Sequence, residues 1–144
     1  MNKIAVVFWS STGNTQAMAD SVMDGITQAG AEGTLITAVE FSADMMDNYD
    51  AIAFGCPSMG SEELEESEFA PMFESCEAKL NGKKIALFGS YGWGDGQWMR
   101  DWVDRMSSAG ATVLNGEGLI CNETPDSDVL ADCENLGKQL AANA

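Results

Sequence analysis

Residues 3–15 read K-I-A-V-V-F-W-S-S-T-G-N-T, and this stretch decides the fold. Its first half, Lys3 to Trp9, is a short apolar run with the look of a buried strand. Its second half, Ser10 to Thr15, is hydroxyl-bearing, amide-bearing or glycine. Met18, Val22 and Ile26 then recur every four residues, and Gly30 ends the helix they define. Strand, polar loop and amphipathic helix in succession open an α/β pattern.

The pattern repeats along the chain. Further strands are predicted over Thr34 to Val39, Ala51 to Gly55 and Ile85 to Gly89, with a last one beginning near Thr112 and reaching about Cys121. Helical stripes appear in Trp98, Trp102 and Met106 and in Val129, Cys133, Leu136 and Leu140; their spacing makes them core-facing surface. Asp44 to Asn48 is long enough for one turn only, whereas Phe69 to Lys79 forms a helix with Pro71 in its first turn. Right-handed crossovers on five parallel strands favour a doubly wound α/β sheet of order 2-1-3-4-5 with helices on both faces. With 144 residues and no linker or repeat, residues 1–144 are expected to form a single domain.

Charge narrows the partners. The chain has 7 Lys+Arg against 23 Asp+Glu, a net charge of −16. Nucleic acid and anionic membranes are opposed over long range, and partners with a basic docking face are favoured. With 45% hydrophobic residues, four Trp and six Phe, the excess charge marks a folded acidic protein rather than a disordered one. Cys56, Cys76, Cys121 and Cys133 contain no C-x-x-C pair and the chain has no histidine, so no metal site is expected and the thiols read as free and buried. The apolar stretch Ile4 to Trp9 is too short for a signal peptide or a membrane span, which makes a cytoplasmic protein the expectation.

In a doubly wound sheet, ligands bind beyond the carboxyl ends of the strands where the winding reverses. Three unusual loops converge there. The first leads directly into a helix, so backbone N–H groups and the positive end of the helix dipole point at its contents. Ser10, Ser11, Thr12 and Thr15 add hydroxyls, Asn14 an amide, and Gly13 lets the backbone curl close. An N-cap needs one such residue and this loop supplies five. It lacks the lysine of a triphosphate-binding loop and the glycine spacing of a dinucleotide fingerprint, which leaves a phosphate monoester held by neutral donors. The third loop, S-Y-G-W-G-D-G, surrounds Trp93 with glycines 92, 94 and 96, so the indole is expected at a pocket mouth, free to stack on a flat ligand. The second, C-P-S-M-G-S-E-E, offers Met59 as a polarizable contact for that ligand's other face.

A phosphate site and a planar ring between Met59 and Trp93 describe a flat, extended mononucleotide. Here W-S-S-T-G-N-T, G-C-P-S-M-G-S-E-E-L and F-G-S-Y-G-W-G-D-G resemble the three flavin mononucleotide loops of the flavodoxins, a family that is itself a standard example of the 2-1-3-4-5 order. The resemblance covers essentially the whole chain. The roughly ten residues between Thr112 and Cys121 resemble the short-chain branch, which lacks a long insertion in its last strand.

The resemblance implies a flavodoxin-like fold and a monomeric, low-potential one-electron carrier, not an enzyme, with a tightly bound, non-covalent FMN cycling between semiquinone and hydroquinone. Its partners would be reductases and oxidoreductases that also use ferredoxin. By similarity, Ser10, Ser11, Thr12, Gly13, Asn14 and Thr15 would hold the phosphate, with Trp93 and Met59 on the two ring faces. Ser58, Gly60 and Ser61 would complete the second loop, and backbone groups of Ser90, Tyr91 and Gly92 would reach the pyrimidine edge. Glu62 resembles the acid that accepts from ring N3–H. Pro57 departs from members that carry a hydroxyl at its position. In the turn Met59 to Glu62, a type II′ form places positive φ at Gly60 and a flipped form moves it to Ser61, which makes the peptide a biased switch toward flavin N5. The alternative is a flavodoxin-like FMN-dependent NAD(P)H:quinone or nitro-compound reductase, in which Trp93 stacked on the ring would block hydride access.

Overall fold

The computed structural model describes residues 2–59 and 62–144. Six strand segments are present: β1 (Lys3–Phe8), β2 (Glu32–Thr37), β3 (Ala51–Gly55), β4 (Lys84–Tyr91), β5 (Thr112–Val113) and β6 (Leu119–Asn122). Four α-helices accompany them: α1 (Asn14–Gln28), α2 (Phe69–Cys76), α3 (Gln97–Ser108) and α4 (Ser127–Asn143). Every strand pairing is parallel, in the order β2-β1-β3-β4-β5, with β6 also on β4. This is the doubly wound sheet expected from the alternation of strand and helix.

The central strands β1, β3 and β4 are buried on both faces, and their period of two sorts side chains between two cores. Ala5, Val7, Ile52, Phe54, Ile85 and Leu87 point to the face covered by α2 and α3. Ile4, Val6, Phe8, Ala51, Ala53, Ala86 and Phe88 point to the face covered by α1 and α4. On the first face Trp102 stands perpendicular to Phe69 and Phe73, at centroid distances of 5.4 and 5.8 Å, an edge-to-face geometry favoured by the ring quadrupoles. Its indole N–H has no hydrogen-bond partner among the described residues. On the second face α1 and α4 cross in backbone contact: a Cβ on Gly25 would overlap the Glu134 carbonyl, and one on Gly137 the Val22 carbonyl.

Several boundaries differ from expectation: β1 ends at Phe8, one residue before Trp9, and β4 runs from Lys84 to Tyr91, beyond the expected Ile85 to Gly89 at both ends. β2 begins at Glu32 and ends at Thr37, because it is in register with β1 from Lys3 to Phe8. The helix after the second loop is α-helical only to Cys76 and finishes as a 3-10 turn over Glu77–Lys79. The last strand is split, β5 pairing with β4 at Lys84 and Ile85 and β6 at Phe88 to Tyr91. In the gap the Asn115 side chain takes over the ladder: its Oδ1 accepts from Leu87 N at 3.2 Å and its Nδ2 donates to Leu87 O at 2.8 Å. Gly116 and Gly118, at φ 55° and 81°, let the backbone turn away and return.

Candidate functional site at the carboxyl end of the sheet

β1 ends at Phe8, and the chain crosses the top of the sheet before entering α1. The helix begins after Gly13, whose φ of 97° only glycine adopts at low cost. No side chain caps it. Gly13 N instead donates to Ser10 Oγ at 3.2 Å, and the first bond into the helix runs from Ala17 N to Gly13 O at 2.9 Å. The N–H groups of Asn14, Thr15 and Gln16 therefore have no acceptor along the helix. In α4, by contrast, Asp126 caps in the usual way, accepting from Val129 N at 2.9 Å. Ser11, Thr12 and Gly13 are exposed and Ser10 and Asn14 half-buried. Thr15 is 1% exposed, and its hydroxyl hydrogen-bonds Ser90 Oγ at 3.0 Å, joining the first loop to the third.

The second loop leaves β3 through Cys56 and Pro57, both buried, and Ser58 N donates to Ser90 O at 3.0 Å. Met59 is half-buried and pairs with Glu63 by two backbone bonds of 2.8 Å. The hairpin thus closes at Glu63, one residue beyond the expected turn, with Glu62 at φ 56°; a left-handed residue before the closing pair is the usual way to end a three-residue hairpin. Gly60 and Ser61, and with them the expected peptide switch, lie outside the described residues. The Glu62 carboxylate accepts from Gln97 N at 3.0 Å, at the start of α3.

β4 carries the third loop. Ser90 is buried, Tyr91 half-buried and Gly92 exposed. The Tyr91 ring packs on Trp98 at 5.5 Å, and Trp98 Nε1 donates to Cys56 O at 3.2 Å, which fixes the second and third loops to one another. Trp93 is 65% exposed, the indole that its flanking glycines were expected to leave uncovered. A fourth segment, which the sequence reading missed, joins here: Glu123 N and Asn122 Nδ2 donate to Tyr91 O at 2.8 and 3.3 Å. Its signal is topological, since β6 ends beside β4. Glu65 and Glu68 were not among the expected site residues. Glu65 is 6% exposed, accepting from Glu68 N at 2.7 Å, from Phe69 N and Ser67 N at 2.9 Å and from the Ser67 hydroxyl.

The electrostatics follow from these contacts. No Lys or Arg occurs in the three loops, and Arg100, near the start of α3, is paired with Asp95 at 2.9 Å. Burial pushes the Cys56 thiol up to about 12, so it stays protonated beside the loop. Burial alone would raise the Glu65 carboxyl, but its hydrogen bonds from Ser67, Phe69 and Glu68 outweigh burial and hold it below the usual carboxylate range.

A doubly wound sheet with an uncapped helix start at its switch point and an exposed indole on the third loop defines a mononucleotide-binding α/β protein. The flavodoxin family model matches residues 6–137. The flavodoxin of Clostridium beijerinckii is 43% identical over 136 residues, covering 94% of this chain and 97% of the relative. That of Megasphaera elsdenii is 44% identical over 138 residues, covering 96% and 98%. The solution structure of two-electron reduced Megasphaera elsdenii flavodoxin superposes with a TM-score of 0.86 at 42% identity, over 96% of this chain and 98% of that one. The chain belongs to the flavodoxin family. It is an FMN-binding electron carrier that serves redox partner proteins, not an enzyme with a substrate of its own.

Proposed function

We propose that residues 1–144 act as one domain that holds the FMN phosphate on the Ser10–Thr15 loop and the ring between Met59 and Trp93, as a low-potential, monomeric, cytoplasmic one-electron carrier. One observation carries this reading: α1 is left without a side-chain cap although five residues able to cap it stand at its start, and Trp93 is exposed at the same end of the sheet. Three N–H groups without an acceptor among the described residues, together with the helix dipole, suit a phosphate without any lysine. The exposed indole offers a flat apolar face, and Met59, the first residue of the Met59–Glu63 pair, a polarizable one.

Bound FMN supplies the one-electron and two-electron redox chemistry. The chain's residues hold and tune it. The Ser10, Ser11 and Thr12 hydroxyls and the Asn14 amide add donors around the phosphate, while Gly13 keeps side-chain bulk away. Thr15 contributes its backbone N–H, since its hydroxyl is engaged by Ser90. Ser90, Tyr91 and Gly92 present backbone groups to the ring edge, and Ser58 closes the second loop against Ser90. Gly60 and Ser61 complete the ring loop in this reading. Glu62 has one carboxylate oxygen on Gln97 N, which leaves the other to accept from a ring N–H. Negative charge added to the ring meets the held Glu62 carboxylate with no cation in the loops to offset it, which lowers the potential. The net charge of −16 favours electron-exchange partners with basic docking faces, including those that also use ferredoxin. Among the described residues no helix is long and apolar enough to cross a membrane.

Anaerobic reductive titration of purified protein tests the reading. The expected result is one FMN per chain, reduced in two separate one-electron steps with distinct visible spectra. Failure to bind FMN, or bleaching in a single two-electron step, would overturn it.

A further inference from the structure

We infer that Glu68 is a positioning residue for the phosphate loop: it holds the Trp9 indole, and through it ties the Ser10–Thr15 loop to the Met59–Glu63 hairpin. This inference rests on the phosphate reading of that loop and adds a residue that the three loop motifs do not contain.

Trp9 is the last residue before the polar loop. Its backbone is fixed to the sheet, Trp9 N donating to Gly55 O at 3.0 Å. Its side chain is fixed from elsewhere: Trp9 Nε1 donates to Glu68 Oε1 at 2.6 Å, across 59 residues of sequence. A charge-assisted bond this short is among the stronger single contacts a side chain makes. Glu68 is in turn held in place. Its N–H donates to Glu65 Oε1 at 2.7 Å, and Glu65 N lies 3.4 Å from Cys56 Sγ, at the exit of β3. Glu65 follows the Met59–Glu63 pair by two residues. A chain of contacts therefore runs from the mouth of the phosphate loop to the hairpin that carries Met59.

Glu68 shares a cleft with Trp9, Ser10 and Gln16, so its carboxylate stands at the edge of an anion site. A negative charge there opposes phosphate binding unless its geometric contribution outweighs the repulsion. The indole accounts for it, because Glu68 is the acceptor of Trp9 Nε1 among the described residues. Core stability does not account for it, since Glu68 is exposed and Trp9 only half-buried. What the contact sets is the path of the chain into Ser10, and so the aim of the first loop.

The test separates phosphate from ring. FMN and riboflavin share the ring, and only FMN carries phosphate. Both are titrated into the FMN-stripped full chain and followed by flavin fluorescence, for the wild type, Glu68→Ala, Glu68→Gln, Trp9→Phe and the double variant Trp9→Phe/Glu68→Ala. We expect Glu68→Ala and Trp9→Phe each to weaken FMN about tenfold and riboflavin less than about twofold, with the double variant no weaker than about twentyfold because both remove one contact. Glu68→Gln keeps an acceptor and removes the charge, so it should retain FMN affinity within about threefold. Equal loss of FMN and riboflavin would make the contact merely structural and overturn the inference, as would unchanged FMN affinity in both single variants. If Glu68→Ala fails to fold, Trp9→Phe decides by the same FMN-to-riboflavin ratio. If the wild type binds no FMN, the proposed function fails first; wild-type binding with unaltered variants sinks this inference alone.

Discussion

Replacing Glu65 by glutamine tests how the second loop is joined to α2. The carboxylate is 6% exposed and accepts four hydrogen bonds, two backbone ones at Oε1 and the Ser67 N–H and hydroxyl at Oε2. A glutamine of the same shape has one acceptor oxygen. With that oxygen in the Oε1 position, Glu68 N and Phe69 N keep their acceptor, the Ser67 hydroxyl rotates to accept, and Ser67 N faces an NH₂ group. A hydrogen bond to a charged group contributes about 1.5–3 kcal/mol, and a stranded donor costs about 1–3 kcal/mol. One lost bond and three weakened ones place the loss at about 2–4 kcal/mol at pH 7. With a urea slope of about 2 kcal/mol per M, the unfolding midpoint falls by about 1–2 M.

The loss depends on pH in a defined direction. The Glu65 carboxyl sits below its ordinary value of 4.5 in the folded chain. As pH falls the unfolded chain therefore takes up this proton first. The stabilisation is complete above the unfolded pKa and drains away as pH falls through the folded one. Glutamine has no such titration, and the other carboxylates cancel in the comparison. Urea unfolding of FMN-free wild type and Glu65→Gln, followed by tryptophan fluorescence at pH 7, 5, 4 and 3, should show a full gap at pH 7 that closes in the acid samples. A midpoint shift below about 0.3 M at pH 7, or a gap constant down to pH 3, would refute the reasoning.

Three other outcomes are expected. Gly137→Ala should cost about 2–4 kcal/mol in the same assay, because its methyl would meet the Val22 carbonyl where α1 and α4 touch, and backbone cannot move aside as a side chain can. Burial pushes the Cys56 and Cys133 thiols up to about 12, so a thiol–disulfide reagent at pH 8 should leave both unmodified in native protein while all four cysteines react in urea. Electron transfer from a partner with a basic docking face should slow several-fold between about 0.05 and 0.5 M salt, as the net charge of −16 is screened; a rate independent of salt would remove the case for steering.

The parts legible in the sequence were those with a period or a cluster. Ile4 to Phe8 and Ala51 to Gly55 are buried on both faces and appear as unbroken apolar runs, while Trp98, Trp102 and Met106 fall on one helical stripe and are buried. The polar cluster Ser10 to Thr15 was legible because five cap-competent residues exceed what a helix start can use. What escaped depends on partners distant in sequence. The last strand is split because the Asn115 side chain substitutes for backbone in the ladder with Leu87, which no local pattern announces. Thr15 carries the residue type of a phosphate ligand, yet its hydroxyl is buried against Ser90, 75 residues away.

The run E-E-L-E-E-S-E, residues 62–68, carries the same lesson into function. As composition it is a solvated acidic patch. In the fold its acids divide at a spacing of three: Glu62 accepts from the start of α3, Glu65 from the start of α2 and Glu68 from the Trp9 indole, while Glu63 and Glu66 are exposed. Neither α-helix nor regular strand repeats every three residues, so the periods used to read the sequence could not have sorted them. The division matters because a carboxylate held by fixed donors cannot swing away when the site beside it gains negative charge. A mobile surface acid relaxes and is screened by water and salt, whereas a held one keeps its repulsion. Three of the five carboxylates thus act as fixed charges around the loops, and in the proposed reading the exposed pair, Glu63 and Glu66, is left to meet a basic partner.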